Sequence, residues 1–145
     1  LKANDQITCG DININFLGPL KHYENENDVS LVFQMNFDQR TFLFTGDIEK
    51  EAEQDLVDYY HSKLKSDVIK VPHHGSITSS THQFLKEVNP SVAVISLAAQ
   101  NKFGFPDPSV IKRYQKNICI IYRTDLNGTI SYHGQRRKEK WHTYL

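Results

Sequence analysis

Hydrophobic and polar positions along this 145-residue chain change their spacing several times, and each change predicts a new element. Apolar residues recur three and four positions apart near Glu49–Leu64 and Thr81–Val88, as one buried helix face requires. A third helix is expected near Pro108–Lys116. Short apolar runs predict strands near Asp11–Leu17, Val29–Phe37, Thr41–Phe44, Val68–Val71, Val92–Leu97, Ile118–Tyr122 and Thr129–Tyr132. After an opening hairpin the strands and helices alternate, which predicts an α/β fold.

Two polar segments predict turns and help to define the organisation of the chain. Phe37–Thr41 would close the hairpin, and Asp125–Gly128 is a turn signal because Asn-Gly tolerates positive φ. The sequence contains no internal repeat, low-complexity segment or linker. We therefore expect residues 1–145 to form a single domain, or one half of one. If a partner half is missing, an exposed sheet face favours a homodimer through that face.

Composition supports a globular piece, since 39% of the residues are hydrophobic and 11% are aromatic. No apolar run approaches the roughly 20 residues of a membrane helix, and the N-terminus lacks an apolar secretory core, so a soluble domain is expected. The chain begins at Leu1 without an initiator methionine, which is typical of a processed or truncated chain. Cys9 and Cys119 lack metal or redox spacing, and Cys119 is expected to be a small buried hydrophobe.

The formal net charge is zero, which argues against a generally basic nucleic-acid surface. The distribution is nevertheless uneven, because Glu24–Asp28 is acidic and Arg136–Lys140 is basic. The basic run could hold a phosphate backbone. A solvated charge run near the terminus is the more ordinary explanation, so this segment supports nucleic-acid binding only weakly.

The first candidate for chemistry is Asp47, which follows a short apolar strand and Gly46 and precedes a predicted helix. A carboxylate at a strand end is a good metal ligand. The alternative is that Asp47 caps the helix, because Asp accepts hydrogen bonds from the first helical N–H groups.

The second candidate lies where the next strand ends. Pro72 lacks an N–H and ends the strand ladder, and His73 and His74 follow at once, before Gly75 and Ser76. Neutral imidazole and carboxylate are ligands expected for zinc, and for manganese or iron where more oxygen ligands join. A hydrolytic metal site containing Asp47, His73 and His74 is therefore the leading hypothesis.

The order and spacing of these motifs resemble the metallo-β-lactamase-fold domain of ComEC-type competence proteins and their stand-alone relatives. The resemblance runs over nearly the whole chain, and its residues are Asn27–Val32, Phe44–Asp47, Ala52 with Glu53, Lys70–Ser76, Pro90, Ser96, Asn101, Gly104, Pro106, Tyr122–Asp125 and Gly128. It implies the C-terminal half of an αββα sandwich hydrolase that holds two divalent metal ions, zinc or manganese. It also implies that Asp47 is a metal ligand, usually bridging both ions, and that His73 or His74 completes the second metal.

Two departures from the family pattern bear on activity. The family's first metal motif, His-x-His-x-Asp-His, has no counterpart here, and the other histidines are isolated in the sequence: His22, His61, His82, His133 and His142. The chain is therefore expected to lack the N-terminal half of the fold and to be inactive by itself. The family also commonly has Gly-His-Pro where this sequence has Gly104-Phe105-Pro106.

The resemblance implies DNA as the substrate, cleaved as a phosphodiester during DNA uptake. Ser76, Ser79 and Ser80 are candidate substrate contacts, with Asn101 and Arg123 weaker ones. The alternatives are a serine-rich loop that caps the helix at Thr81 and ordinary turn chemistry at Asn101.

Two other classes of function stay open. One is a stand-alone metallohydrolase of a small ester or phosphodiester, and the other is a non-catalytic, degenerate binding module. The compartment depends on the parent, since a ComEC-type parent would hold the domain at the membrane and a stand-alone relative would be cytoplasmic.

Overall fold

The computed structural model of the chain describes residues 1–135 and 138–144. Its strands are β1 Gln6–Cys9, β2 Ile12–Gly18, β3 Val32–Phe37, β4 Arg40–Phe44, β5 Val68–Lys70, β6 Val92–Ile95, β7 Ile120–Arg123, β8 Thr129–Gln135 and β9 Lys138–Tyr144. Its α-helices are α1 Lys50–Tyr60, α2 His82–Val88, α3 Pro108–Lys116 and α4 Thr124–Asn127, the last being a single turn.

The helix predictions are confirmed. α1 continues into a 3-10 turn at His61–Leu64, so together they match the predicted helical segment. α3 has the predicted bounds, and the side chain of Thr81 caps α2 by accepting from the backbone N–H of Phe84. The predicted turn at Asp125–Gly128 is the helical turn α4, which ends at Gly128 with φ of 66°.

The strand predictions were less complete. The strand expected from Val29 begins at Val32, because Glu26–Val29 forms a 3-10 turn. β1 was missed because it is an exposed edge strand of only four residues, too short to give a clear pattern. β9 was missed as well, because Lys138–Tyr144 contains several charged and polar residues.

Strands β1–β7 form one sheet in chain order, with β1–β4 antiparallel and β4–β7 parallel. A parallel connection needs a crossover, and α1, α2 and α3 supply the three crossovers between β4 and β7. The register aligns Leu43 with Ile69 and Ile69 with Ala93. The carboxyl ends of β4–β7 consequently lie along the same edge of the sheet.

Alternate residues of the parallel strands face two different layers. Leu43, Ile69 and Ala93 are fully buried on the face that packs against α1–α3. Their neighbours along each strand point to the opposite face, where Tyr132 and Trp141 of the β8–β9 hairpin pack against them. The layers are helices, sheet and hairpin, so the predicted α/β sandwich class is confirmed, and the chain's own hairpin covers part of the face that we expected to be exposed.

Smaller expectations from the sequence can also be set beside the structure. Cys119 is buried, as predicted, and burial raises the pKa of its thiol to about 12. Among residues 1–135 and 138–144, no helix has both the length and the apolar character to cross a bilayer. Of the basic run, Arg136 and Arg137 lie outside the described residues. His133 and His142, separate in sequence, stack edge-to-face with ring centroids 5.1 Å apart.

Candidate metal centre

The candidate residues lie in loops that follow successive parallel strands. Asp47 follows β4, His73 and His74 follow β5, Asn101 lies in the loop after β6, and Arg123 ends β7. In open α/β sheets, ligands bind outside the carboxyl ends of the strands because these loops converge there. The topology thus brings residues from distant parts of the sequence to one edge.

Asp47 is not the cap of α1, so that alternative is wrong. The helix begins at Lys50, and its N-cap is Glu49, which makes no side-chain capping bond. The Asp47 side chain is 39% exposed, and its Oδ1 lies 3.4 Å from Lys70 Nζ and 3.5 Å from His74 Nε2. The carboxylate therefore faces the neighbouring strand's loop and not the helix.

The backbone before Asp47 requires glycine. Gly46 has φ of +55°, and a Cβ at that position would lie 2.5 Å from Ser30 Cβ. The Ser30 hydroxyl accepts a hydrogen bond of 3.0 Å from the backbone N–H of Asp47, and Lys70 Nζ donates to the Gly46 carbonyl at 2.9 Å. These contacts fix the direction in which the carboxylate points.

The short turn at Glu26–Val29 supports the same loop, a role that the sequence did not reveal. Asp28 is only 2% exposed, and its Oδ1 accepts from the backbone N–H of Glu49 at 2.6 Å. Burial raises the pKa of Asp28 above its usual value. The Asn27 side-chain amide donates to Glu49 Oε1 at 3.0 Å. The segment Asn27–Val32 carries the family resemblance, but its support of this loop depends on contacts between residues far apart in the chain, which local sequence does not reveal.

His74 has one ring nitrogen committed and one available. Its Nδ1 lies 2.5 Å from the carbonyl oxygen of Ser96, which follows β6. A carbonyl oxygen only accepts, so Nδ1 carries a hydrogen, and Nε2 is the ring nitrogen that faces Asp47. Metal-binding histidines typically have this arrangement, in which a backbone carbonyl holds the other ring nitrogen.

His73 is held differently. Its Nδ1 is buried and makes no hydrogen bond, although it lies 3.3 Å from Glu49 Oε1. Its ring packs edge-on against Phe105, with centroids 5.7 Å apart. Glu49 beside the site was not singled out from sequence, because it lies inside an acidic helix start where such residues are common. Of the two histidines, His74 has the geometry of a ligand.

The chain takes an unusual path through this loop. His73, His74 and Gly75 have φ of 47°, 54° and 84°, which is the left-handed region. Such a conformation costs a non-glycine residue about 1–3 kcal/mol, and it is found mainly where function requires it. At Gly75 an added Cβ would lie 2.6 Å from Pro106 Cβ, so glycine permits the close approach of the loop after β6.

Lys70 is the cation closest to Asp47 in the described site. Its side chain is 23% exposed and lies between the Gly46 carbonyl and the Asp47 carboxylate. Burial lowers the pKa of Lys70, while the charge of Asp47 acts in the opposite direction. The ammonium therefore helps to hold the Asp47 loop.

The serines after Gly75 are buried in the fold. Ser76 is 4% exposed and shares a hydrogen bond of 2.9 Å with the Thr78 hydroxyl. Ser79 and Ser80 are fully buried; the Ser79 hydroxyl donates to the Ile48 carbonyl, and that of Ser80 bonds to Tyr114 Oη. The expected substrate contacts at Ser76, Ser79 and Ser80 are corrected accordingly, since their hydroxyls are occupied within the protein.

Asn101 and Arg123 also have internal partners. The Asn101 side chain accepts from the Phe105 N–H at 2.9 Å and donates to the Phe105 carbonyl at 2.8 Å, which is the turn chemistry considered as its alternative. Arg123 forms two hydrogen bonds to Asp125, at 3.0 and 2.5 Å. Both residues shape the loops around the site.

The donor set fits part of a metal centre. Within residues 1–135 and 138–144, no three His, Cys, Asp or Glu side chains group so that they could hold a metal ion. Asp47 and His74 nevertheless present an oxygen and a nitrogen 3.5 Å apart. Two ligands about 2.1 Å from a tetrahedral zinc lie roughly 3.4 Å apart, so this pair matches the spacing of two of the ligands in such a site.

The chain belongs to the metallo-beta-lactamase superfamily, whose family model matches residues 7–99. It is 32% identical over 145 residues to ComE operon protein 3 of Bacillus subtilis, covering 99% of this chain and 19% of that protein. It is 33% identical over 122 residues to competence protein ComA of Neisseria gonorrhoeae, covering 83% and 18%. Recombination protein 2 of Haemophilus influenzae is 33% identical over 105 residues, covering 72% and 13%.

These comparisons confirm the resemblance to competence proteins. The chain spans about a fifth or less of the length of these curated relatives. Among solved structures, a mutant of the CmlA β-hydroxylase superimposes with a TM-score of 0.54 and 11% identity, covering 83% of this chain and 31% of that one. At that identity the likeness shows the fold alone.

Proposed function

We propose that this chain is part of a metal-dependent phosphodiesterase that cleaves DNA during competence-related DNA uptake. The observation that carries the proposal is the Asp47–His74 pair at the carboxyl edge of the parallel strands. Three relatives are named as competence or recombination proteins, and this supports DNA as the polymer concerned. In such a parent the domain would be held at the membrane, whereas a stand-alone relative would be cytoplasmic.

The residues of this chain divide the work of the site. When bound, a pair of divalent ions, zinc or manganese, would supply hydroxide near neutral pH and would stabilise charge on the attacking and leaving oxygens of a phosphodiester. Asp47 Oδ1 and His74 Nε2 would hold metal, and the Ser96 carbonyl would keep the His74 ring in the binding tautomer. Lys70 holds the Asp47 loop through the Gly46 carbonyl.

The test is metal content and cleavage of single-stranded DNA by the full-length protein and its variants. Asp47→Ala and His74→Ala should each remove bound metal and lower cleavage at least about 100-fold, since even groups that only support a ligand are worth 10–100-fold. Asp58→Ala and His22→Ala are matched controls, because both residues are exposed. Unchanged metal content and cleavage in Asp47→Ala would remove Asp47 from the centre.

A non-catalytic binding module is the second candidate, and one observation favours it. The described residues bring together a pair of candidate ligands and no group of three. A degenerate site would bind no ion tightly, so metal content near zero in the full-length protein would favour this candidate. Activity measured on a panel of substrates would distinguish a small ester or phosphodiester from DNA as the substrate of the same protein. The homodimer stays a prediction.

A further inference from the structure

The loop after β6 presents two phenylalanines beside the candidate metal ligands. Phe103 is 66% exposed, and its ring stacks on that of Phe105 with centroids 5.6 Å apart and planes inclined by 18°. Neither ring belongs to the two hydrophobic clusters of the fold. An exposed ring stacked on a half-buried one, neither used by the core, suggests a binding surface.

A small cavity lies between this pair and His74. Its volume is about 210 Å³, and its walls are His74, Leu97, Ala98, Asn101, Phe103 and Phe105. Pockets for drug-sized ligands enclose roughly 300–1,000 Å³, so this one suits a single planar ring. Because the same His74 ring lies 3.5 Å from Asp47, the cavity adjoins the candidate metal centre.

The loop is fixed before any ligand arrives. The Asn101 side chain bonds to both the N–H and the carbonyl of Phe105, and a further bond runs from it to the Ala98 carbonyl at 3.3 Å. The backbone N–H of Asp107 donates to the Gly75 carbonyl at 2.9 Å, which ties this loop to the histidine loop. A fixed surface loses little conformational entropy on binding.

Charge selects the kind of occupant. Lys102 Nζ lies 5.1 Å from the centroid of the Phe103 ring, so an ammonium accompanies the aromatic surface. Aromatic rings beside a cation suit a chain of planar bases joined by phosphates, because bases stack on the rings while the cation neutralises the backbone. An apolar peptide would match the rings but leave the lysine without a partner.

We propose that Phe103 and Phe105 form a stacking platform for an unpaired nucleobase beside the candidate metal centre at Asp47 and His74, with Lys102 binding an adjacent phosphate of the same strand. The inference rests on the proposed function, since it names the substrate as single-stranded nucleic acid. A base inside a duplex is already stacked and cannot enter the cavity, so the platform favours single strands and tolerates any base.

The test measures binding without cleavage, by fluorescence anisotropy in the presence of a chelator. The probes are a labelled oligodeoxythymidine, an abasic strand of the same length and charge, and a duplex. Phe103→Ala in the full-length protein should weaken binding of oligodeoxythymidine roughly 5- to 150-fold, the effect of losing one base–aromatic stack, and should leave the abasic strand unaffected. Phe103→Trp should restore the affinity.

Tyr59→Ala is the matched control, because Tyr59 is 60% exposed on α1 and lies outside this cavity. The platform is overturned if Phe103→Ala weakens the thymidine and abasic strands equally, if it changes neither, or if the duplex binds as tightly as the single strand. The proposed function fails by a different result. If Asp47→Ala retains bound metal and cleavage, the metal assignment is wrong. If binding still depends on the base in that case, the stacking platform stands.

Discussion

Glu53 joins α1 to the loop that follows the two histidines, and its protonation should affect stability. The side chain is fully buried, and its carboxylate accepts from the backbone N–H groups of Ser80 at 2.5 Å and Thr81 at 2.8 Å. Burial raises the pKa of Glu53 to about 7, against the opposing effect of those bonds and of Arg113. Tyr114 and Arg113 of α3 are the other polar groups that act on this carboxylate.

The size of the effect follows from the shift in pKa. The pKa rises from 4.5 to about 7, a difference of about 2.5 units, and each unit corresponds to 1.36 kcal/mol. Because the folded state raises the pKa, the stabilisation is complete below pH 4.5 and is lost as the pH rises through 7. Ionisation of Glu53 should therefore lower the free energy of unfolding by about 3 kcal/mol in all, of which roughly 2.5 falls between pH 5 and 8.

The assay is urea unfolding followed by circular dichroism at several pH values, for the parent chain and Glu53→Gln. Glutamine keeps an acceptor oxygen but cannot ionise, so the difference between the two curves isolates this group from others such as Asp28. The parent should lose about 2.5 kcal/mol relative to the variant between pH 5 and 8. Glu51→Gln, exposed on the same helix, should run parallel to the parent. Parallel curves for Glu53→Gln as well would refute the reasoning.

Two further predictions concern packing. Gly75→Ala should lower the free energy of unfolding by more than Gly10→Ala does. Both glycines have positive φ, but only at Gly75 would an added Cβ lie 2.6 Å from Pro106 Cβ. Equal losses of stability in calorimetry would contradict this close approach. Phe84→Ala should lower the free energy of unfolding by about 3–5 kcal/mol because Phe84 is fully buried. Phe103→Ala should change it by less than about 0.5 kcal/mol, because that ring is exposed. A large loss for Phe103→Ala in urea unfolding would show that the ring packs in the core.

Local pattern was sufficient for the elements that bury an apolar face. α1 and α2 were predicted closely because apolar residues three and four positions apart define one face of each helix within the local sequence. β1 and β9 were missed because β1 has only four residues and Lys138–Tyr144 contains several charged and polar residues, so neither gives a clear strand signal. The class of fold came from motif order, which agrees with the family match.

The candidate site divides in the same way. Its place at strand ends was readable, because a strand followed at once by Asp47 or by His73 and His74 is a local signal. The preference for His74 required the Ser96 carbonyl, which lies 22 residues away in the chain. Ser79 was expected at the substrate because it lies in the polar loop after Gly75, and only the packed structure reveals that its hydroxyl donates to the Ile48 carbonyl.

Contacts within the protein hold both members of the Asp47–His74 pair. Ser30 and Lys70 hold the first loop, and Ser96 holds the ring of the second. Ligands fixed in advance lose little entropy when an ion binds, but zinc sites normally have three or four protein ligands, so two alone should bind weakly. Further metal ligands from outside residues 1–145 would therefore raise the metal affinity steeply. The metal affinity of this chain by itself thus measures how much of the centre its own residues provide.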